Sequence, residues 1–280
     1  MNKKLKDCFW LWGQNAGSHH AAAGNQKWKL PGVNRMTPRE GAEYLGIDRI
    51  CRVVMGGAPT PPFDTESETL SGMAEVVWSA IGDTGSRRND GNASDLDEVL
   101  RQAERYPNIT GAVLDDFFKI KVTPDDIHGR HGVESIRAMR ERLGGFSPRP
   151  LDLWVVWYKR QLGFDVSDYL PLFDVITYWN MKAPAELDEL ERDIATVVSR
   201  TPGKRRFAGF YMWNYEEGKP LTRRETRAQC DAYLRWMERG DTEGIIFCSN
   251  CCADLGLEAV EWIRDWIREV GEEPVPAPIG

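Results

Sequence analysis

Long apolar runs are missing from this 280-residue chain, in which no stretch reaches 18 consecutive apolar residues. A transmembrane helix needs about 20 such residues, so no membrane-spanning helix and no membrane partner are predicted. The amino terminus is basic, but the apolar run from Cys8 to Trp12 that follows is too short for the core of a secretory signal. With Met1 taken as the native start, the sequence predicts a cytoplasmic protein.

Clustered basic charge is also missing. The formal net charge is −7, and acidic and basic residues are interspersed along the chain. A basic stripe is the electrostatic footprint of a nucleic-acid-binding protein, so nucleic acid is not an expected partner. The glycine-rich motifs that cradle phosphate groups do not occur at the expected places either, which argues against nucleotide binding. No cofactor is predicted.

Metal-ligating residues are few. The chain has four histidines and six cysteines, of which three, Cys248, Cys251 and Cys252, form a cluster without a second pair at zinc-binding spacing. We therefore expect reduced cysteines and no bound metal. His19 and His20 stand in a polar loop, and we expect them to be exposed to solvent. A metal-dependent sugar isomerase or hydrolase, which needs several ligands at strand ends, remains an alternative function.

Short apolar runs alternate with amphipathic segments along the whole chain. Eight runs predict strands, at residues 7–14, 50–57, 74–83, 109–118, 151–158, 173–180, 207–215 and 244–249. The third run is ambiguous, because a single helix over 66–80 would give a similar pattern. None of these runs contains a lysine, which disfavours a Schiff-base aldolase.

Helix starts between the predicted strands are marked by local signals. Capping boxes begin at Thr37 and Thr222, where threonine is followed three residues later by glutamate. Further helices are predicted from Ser94, Thr123 and Pro184, and a last one carries apolar residues at helical spacing until a glycine at position 271 ends it.

Strands that alternate with helices form a parallel sheet. A closed barrel of eight such units takes about 250 residues, which matches this length. The predicted fold class is therefore α/β, a (β/α)₈ TIM barrel that spans residues 1–280 as a single domain. Residues 272–280 form a proline-rich tail that we expect to be loose.

Two adjacent carboxylates end the fourth predicted strand. The run from Ile109 to Leu114 has no charged residue, and Asp115 and Asp116 follow it directly. In a (β/α)₈ barrel the active site lies at the carboxyl ends of the strands, so these acids are candidate site residues. Because neighbouring strand residues point to opposite sides, we expect only one of the two to enter the site. The sequence does not decide which one.

Aromatic and polar residues gather at the other predicted strand ends. The candidate substrate-binding residues are Trp12, Gln14, Asp83, Tyr158, Trp179, Asn180, Trp213, Asn214 and Asn250. Aromatic rings stack on the C–H faces of sugars, and amides and carboxylates pair with sugar hydroxyls, so we expect these residues to line one cleft that binds a small carbohydrate. Trp10, Trp78 and Trp154 are instead expected to fill the barrel or to support loops.

This arrangement resembles the (β/α)₈ glycoside hydrolases as a superfamily. In their largest clan an acid/base glutamate ends strand four and a nucleophilic glutamate ends strand seven. Glu216 and Glu217 follow predicted strand seven here, whereas Asp115 and Asp116 stand where that clan has Asn-Glu. Another clan has an aspartate at the end of strand four and an acid at the end of strand six, where this chain has Asn180. The resemblance therefore identifies no single family.

The resemblance implies a glycoside hydrolase-like enzyme that uses carboxylate acid/base chemistry at the carboxyl-terminal face of the barrel. Its candidate catalytic residues are Asp115, Asp116, Glu216 and Glu217, with Tyr158 or Asp83 as a replacement second acid. A barrel that binds carbohydrate without cleaving it remains a further alternative. The oligomeric state is not predicted.

Overall fold

The computed structural model describes residues 3–119, 128–182 and 187–276. Eight parallel strands pair in chain order and close into a barrel, so the predicted (β/α)₈ fold class is confirmed. The strands are β1 (Phe9–Gly13), β2 (Arg49–Arg52), β3 (Glu75–Ile81), β4 (Ile109–Leu114), β5 (Asp152–Tyr158), β6 (Val175–Trp179), β7 (Arg205–Tyr211) and β8 (Gly244–Cys248).

Helices surround this barrel. They are α1 (Pro38–Leu45), α2 (Asp64–Thr69), α3 (Leu96–Arg105), α4 (Val133–Gly144), α5 (Leu187–Arg200), α6 (Arg223–Glu238), α7 (Asn250–Ala253) and α8 (Glu258–Val270). Short 3₁₀ turns at Lys159–Gln161 and Leu170–Leu172 connect β5 to β6. None of the helices described is long and apolar enough to cross a membrane. The helix starts predicted at Thr123 and Pro184, and the last four residues of the tail, lie outside the described residues.

The capping boxes form as predicted. The Thr37 hydroxyl accepts the Glu40 backbone N–H at 3.2 Å, and the Glu40 carboxylate accepts the Thr37 backbone N–H at 2.8 Å. Thr222 and Glu225 repeat this pattern at the start of α6. Each box satisfies backbone donors that the first turn of a helix leaves free, and so determines where the helix begins.

Several strand boundaries differ from the prediction. Glu75–Ile81 forms β3, which makes the alternative helix over 66–80 wrong. Strand β7 begins at Arg205 and ends at Tyr211, four residues before the predicted end. The following residues, Met212 to Tyr215, are buried in a turn that the Asn214 backbone N–H closes on the Lys219 carbonyl at 3.1 Å. A buried turn and a buried strand have the same composition, so the apolar run alone overestimates the strand.

A layer of large aromatic rings fills the barrel interior toward the amino-terminal ends of the strands. Trp154 lies between Trp10 and Phe207, with ring centroids 5.1 Å and 5.0 Å away. The expected packing role of Trp10 and Trp154 is confirmed. Trp78 packs outside the barrel, where it stacks on Phe63 at 4.4 Å. Trp10, Trp154 and Phe207 close the barrel toward the amino-terminal ends of its strands. The mouth at the carboxyl-terminal ends of the strands is therefore the open end.

A second aromatic layer forms the floor of this mouth. Trp179 contacts Trp12 and Tyr211, each with a centroid separation of 5.1 Å. Gly209 pairs with Trp179 across β6 and β7, and a Cβ atom on this glycine would lie 2.0 Å from the indole. The missing side chain therefore provides the space in which the Trp179 ring lies.

We predict that Gly209→Ala destabilises the protein by about 1–3 kcal/mol, because the rigid indole must leave its position. Urea unfolding followed by tryptophan fluorescence measures this change. Gly163→Ala is the matched control, since a Cβ atom at Gly163 would meet nothing within 4 Å. Equal stability of the two variants would contradict the packing role assigned to Gly209.

Candidate active site

The mouth of the barrel contains a cavity of about 360 Å³ at the carboxyl ends of the strands. Seven of the sequence-predicted site residues line it together: Trp12, Gln14, Asp83, Asp115, Asp116, Tyr158 and Trp179. They come from several different strands, and barrel closure brings them to one place. The cavity is therefore the candidate active site.

Both acids at the end of β4 face this cavity. Val113 points into the barrel interior, and strand alternation places Asp115 on the same side, where it is 4% exposed. The expectation that only one of the two acids would enter the site is wrong. The strand ends at Leu114, and Asp116 has a left-handed backbone with φ 44°, so the alternation no longer applies to its side chain.

The environment of Asp115 favours its protonated form. Burial raises the pKa of this carboxyl well above its usual range, and the negative charges of Asp116 and Asp83 act in the same direction. The Asp116 backbone N–H donates to Asp115 Oδ1 at 2.8 Å, and Arg130 is also nearby, but both only partly oppose the rise. A buried carboxyl that keeps its proton can act as a general acid.

Asp116 is more exposed than Asp115, and two hydrogen bonds hold its carboxylate. Its Oδ2 accepts the backbone N–H of Thr84 at 3.2 Å and the Thr84 hydroxyl at 3.4 Å. Tyr158 and Tyr211 line the same cavity near this carboxylate. Burial raises the pKa of both phenols well above the usual value, so they remain protonated and able to donate. The Thr84 bonds thus orient the Asp116 carboxylate, and the two phenols offer O–H donors beside it.

Asp83 is the third acid of the cavity. Its Oδ1 accepts the Gly56 backbone N–H at 2.8 Å and the Ser86 hydroxyl at 2.7 Å. The bond to Gly56 ties the loop after β2 to the loop after β3, and Oδ2 accepts no hydrogen bond from the residues that the structure describes. Asp83 can therefore bind a substrate hydroxyl beside Asp115 and Asp116.

Sequence reasoning missed the residues that the β1–α1 loop contributes. His19 and Trp28 line the cavity together with Tyr215. His19 Nδ1 lies 2.5 Å from the Tyr215 hydroxyl, and the Trp28 ring centroid lies 5.3 Å from that of Tyr215. The predicted exposure of His19 and His20 is wrong, because they are only 3% and 7% exposed. Burial, aided by His20, lowers the pKa of His19 to about 3, which leaves its imidazole neutral.

Tyr211 was also missed, for a different reason. The prediction placed the end of strand seven at residue 215, whereas the strand ends at Tyr211, whose side chain then reaches the mouth. Phe207, Gly209 and Tyr211 alternate along one face of β7, and this period of two was the signal that could have identified it.

Three predicted substrate-binding residues do not line the cavity. Their side chains instead form hydrogen bonds that hold the loops around it. Asn250 binds the backbone N–H and carbonyl of Gln14 at 2.8 and 2.9 Å and the Met36 carbonyl at 2.8 Å, so its amide is fully used. Trp213 Nε1 donates to the Trp28 carbonyl at 2.8 Å and so holds the β1–α1 loop. Asn214 bonds with Glu217 through both its amide oxygen and its amide nitrogen, and closes the turn after β7.

Neither of the two glutamates predicted as catalytic residues, Glu216 and Glu217, lines the cavity. Glu217 accepts the Asn214 side-chain amide at 2.8 Å and pairs with Lys219 at 2.6 Å, and it lines neither the cavity nor the groove beside it. Glu216 is exposed and lines that adjoining groove, as does Asn180. Over residues 3–119, 128–182 and 187–276, the carboxylates that line the cavity itself are Asp83, Asp115 and Asp116.

The cysteines are all unpaired and buried. Cys248 lines the cavity, and burial raises the pKa of its thiol well above the usual value. Among the residues that the structure describes, no group of three or more His, Cys, Asp and Glu is placed to hold a metal ion. Reduced cysteines without metal remain a prediction, for which elemental analysis is the measurement.

Comparisons with known proteins support the fold. No protein-family model matches the chain, and no curated protein matches its sequence. An endo-β-N-acetylglucosaminidase from Cordyceps militaris is similar with a TM-score of 0.58 and 14% identity, over 96% of this chain and 91% of that chain. A glycoside hydrolase family 5 enzyme from Prevotella bryantii has a TM-score of 0.53 and 10% identity, over 96% and 99%. A glycoside hydrolase family 17 β-1,3-glucanosyltransferase from Rhizomucor miehei has a TM-score of 0.51 and 11% identity, over 78% and 84%. At these identities the similarity shows a shared barrel fold alone.

Proposed function

We propose that the protein hydrolyses a glycosidic bond of a carbohydrate at the mouth of the barrel. The observation that carries the proposal is the pair Asp115 and Asp116, one buried with a raised pKa and the other partly exposed and held by hydrogen bonds. Glycoside cleavage needs one carboxyl group that is protonated and one that is ionised. The fold shared with glycoside hydrolases of several families adds support.

In the proposed reaction, Asp115 donates its proton to the glycosidic oxygen as the bond between this oxygen and the anomeric carbon breaks. Asp116 is the ionised carboxylate that stabilises the positive charge at the anomeric carbon. A water molecule supplies the hydroxyl group of the new reducing end and loses a proton, which restores the acid. The separation of the two carboxyl groups that act on the substrate determines whether configuration is retained or inverted.

The remaining walls are suited to a sugar. Trp12, Trp179 and Tyr211 offer ring faces for stacking, while Asp83, Gln14 and the neutral His19 can bond to hydroxyl groups. Rings that exclude water also strengthen the electrostatic interaction between the carboxylate and the developing charge, because the local dielectric constant falls. The cavity thus combines binding and acid–base groups in one place.

A non-catalytic carbohydrate-binding barrel is the second candidate. It is favoured by the distribution of acids, since β6, β7 and β8 contribute no carboxylate to the described lining opposite Asp115. Such a protein would use the same rings and polar groups and would release the glycan unchanged.

A screen with aryl glycosides, run beside a glycan-binding assay, tests both candidates. Release of the aryl group by the wild type, and its loss in Asp115→Asn, would support the hydrolase. Binding of glycans without turnover of any substrate would support the binding protein. A protein that neither binds nor cleaves carbohydrate would contradict the proposal.

The two glutamates after β7 make a paired prediction. We expect Glu217→Gln to retain activity within about three-fold, because among the described residues this exposed carboxylate bonds only with Asn214 and Lys219 of its own turn. Kinetics of Glu216→Gln provide the comparison. A loss of about 10²-fold or more in Glu216→Gln would assign it the second carboxyl group and leave Asp116 to bind a hydroxyl. A similar loss in Glu217→Gln would show that the turn moves during catalysis.

A further inference from the structure

The cavity continues sideways into a second groove of about 530 Å³. Trp28, Tyr158, Trp179 and Tyr215 line both spaces, so the two spaces adjoin at these rings. The connection gives the site room for more than the sugar whose bond is cleaved. We call this second space the side groove.

The side groove is basic. It is lined by Lys27, Lys159, Arg160 and Lys182, against two acids, Glu189 and Glu216. Lys159 forms ion pairs with Glu189 and, at 3.6 Å, with Asp193. The whole chain has a net charge of −7, so a basic groove reverses the average sign of the surface. A local reversal of this kind attracts an anionic ligand.

Lys27 and Arg160 occupy the junction, since each lines both the cavity and the side groove. The Arg160 guanidinium lies over the Tyr158 ring at 4.6 Å, and the Lys27 ammonium lies over the Trp28 ring at 5.4 Å. Stacking positions a cation without using its N–H donors. Within the described parts of the chain, neither forms an ion pair with a carboxylate.

We propose that the side groove binds an anionic group carried by a sugar, such as a uronate carboxylate or a sulfate ester. Arg160 presents a planar set of donors that matches the oxygens of a carboxylate or a sulfate, and Lys27 adds a second positive charge. The carboxylates of Asp83 and Asp116 repel the same group from the cavity. The two charge clusters therefore orient the glycan, with its anionic sugar in the side groove and the scissile bond above Asp115. This inference rests on the proposed carbohydrate function.

Binding to Asp115→Asn protein, which does not consume the glycan, tests the inference separately from hydrolysis. The probes are paired oligosaccharides, each uronate-bearing or sulfated chain beside its carboxyl-reduced or desulfated counterpart. We expect at least one anionic member to bind about 10- to 100-fold more tightly than its neutral counterpart, the range expected for hydrogen bonds to charged groups. Isothermal calorimetry measures the dissociation constants, and the two kinds of pair distinguish carboxylate from sulfate.

Arg160→Ala and Lys27→Ala should remove this preference while affinity for the neutral member stays within about two-fold. Both side chains are exposed, so the variants should fold, which thermal unfolding checks. Arg227→Ala is the control, because Arg227 is an exposed cation on α6 that lines neither space. The inference is overturned if no pair shows a preference, or if the preference survives in Arg160→Ala. Preferential binding without hydrolysis of any substrate would uphold it and contradict only the hydrolytic step.

Discussion

Replacing Asp115 with asparagine is expected to lower the rate of glycoside hydrolysis by about 10²–10⁴-fold, the usual cost of losing a general acid. Asparagine keeps the shape of the side chain, and its Oδ1 can still accept the Asp116 backbone N–H. Its amide N–H groups are not acidic enough to transfer a proton to the glycosidic oxygen. Steady-state kinetics on the best aryl glycoside of the screen measures the loss, and circular dichroism confirms that the variant is folded.

The same substitution should stabilise the protein at neutral pH. The pKa of Asp115 is raised in the folded state, so the unfolded chain loses this proton first as the pH rises. Stability therefore falls above the ordinary aspartate pKa of about 3.9, and it continues to fall until the pH passes the folded-state pKa. Asparagine removes this pH dependence. Urea unfolding at acidic and neutral pH should show an advantage of Asp115→Asn that grows with pH.

The pH profile of the wild type provides a further check of this prediction. Activity that requires protonated Asp115 should decline as the pH rises through the raised pKa. Asp116→Asn should also lose activity, because it removes the ionised partner. If both Asp115→Asn and Asp116→Asn retain activity within a few-fold, the acid–base assignment is wrong.

Trp154→Ala is expected to destabilise the barrel by about 3–5 kcal/mol, which is a large part of the 5–15 kcal/mol that holds a typical domain together. Trp154 is 1% exposed and packs between Trp10 and Phe207 in the centre of the barrel. Strands on all sides limit how far the neighbours can move into the space, so a cavity remains. Chemical denaturation followed by circular dichroism measures the change.

Trp154→Phe is the matched control. The Trp154 Nε1–H has no hydrogen-bond partner among the described groups, so phenylalanine loses ring volume and no hydrogen bond. We expect it to cost less than half as much as alanine, roughly 1–2 kcal/mol. Equal costs for the two variants would indicate that the loss does not come from the cavity. Wild-type stability of Trp154→Ala would contradict the role of this ring in closing the barrel.

Local patterns in the sequence determined the architecture. Apolar runs bounded by turn residues located all eight strands, and the capping boxes at Thr37 and Thr222 located two helix starts. These signals are local because backbone hydrogen bonding and side-chain period depend on neighbours along the chain. The position of Asp115 and Asp116 at the end of an apolar run was likewise enough to place them at the mouth, since every strand of a parallel barrel ends there.

Tertiary contacts decided the details of the site. Asn250 and Trp213 lie just beyond the ends of β8 and β7, but their polar atoms are used by Gln14, Met36 and Trp28, which are distant in sequence. His19 is buried only because the β1–α1 loop folds against Tyr215. The φ of 44° at Asp116 turns a second carboxylate toward the cavity. Local sequence determines which residues reach the mouth of the barrel, but the long-range bonds that satisfy buried polar groups decide which of them remain free for a substrate.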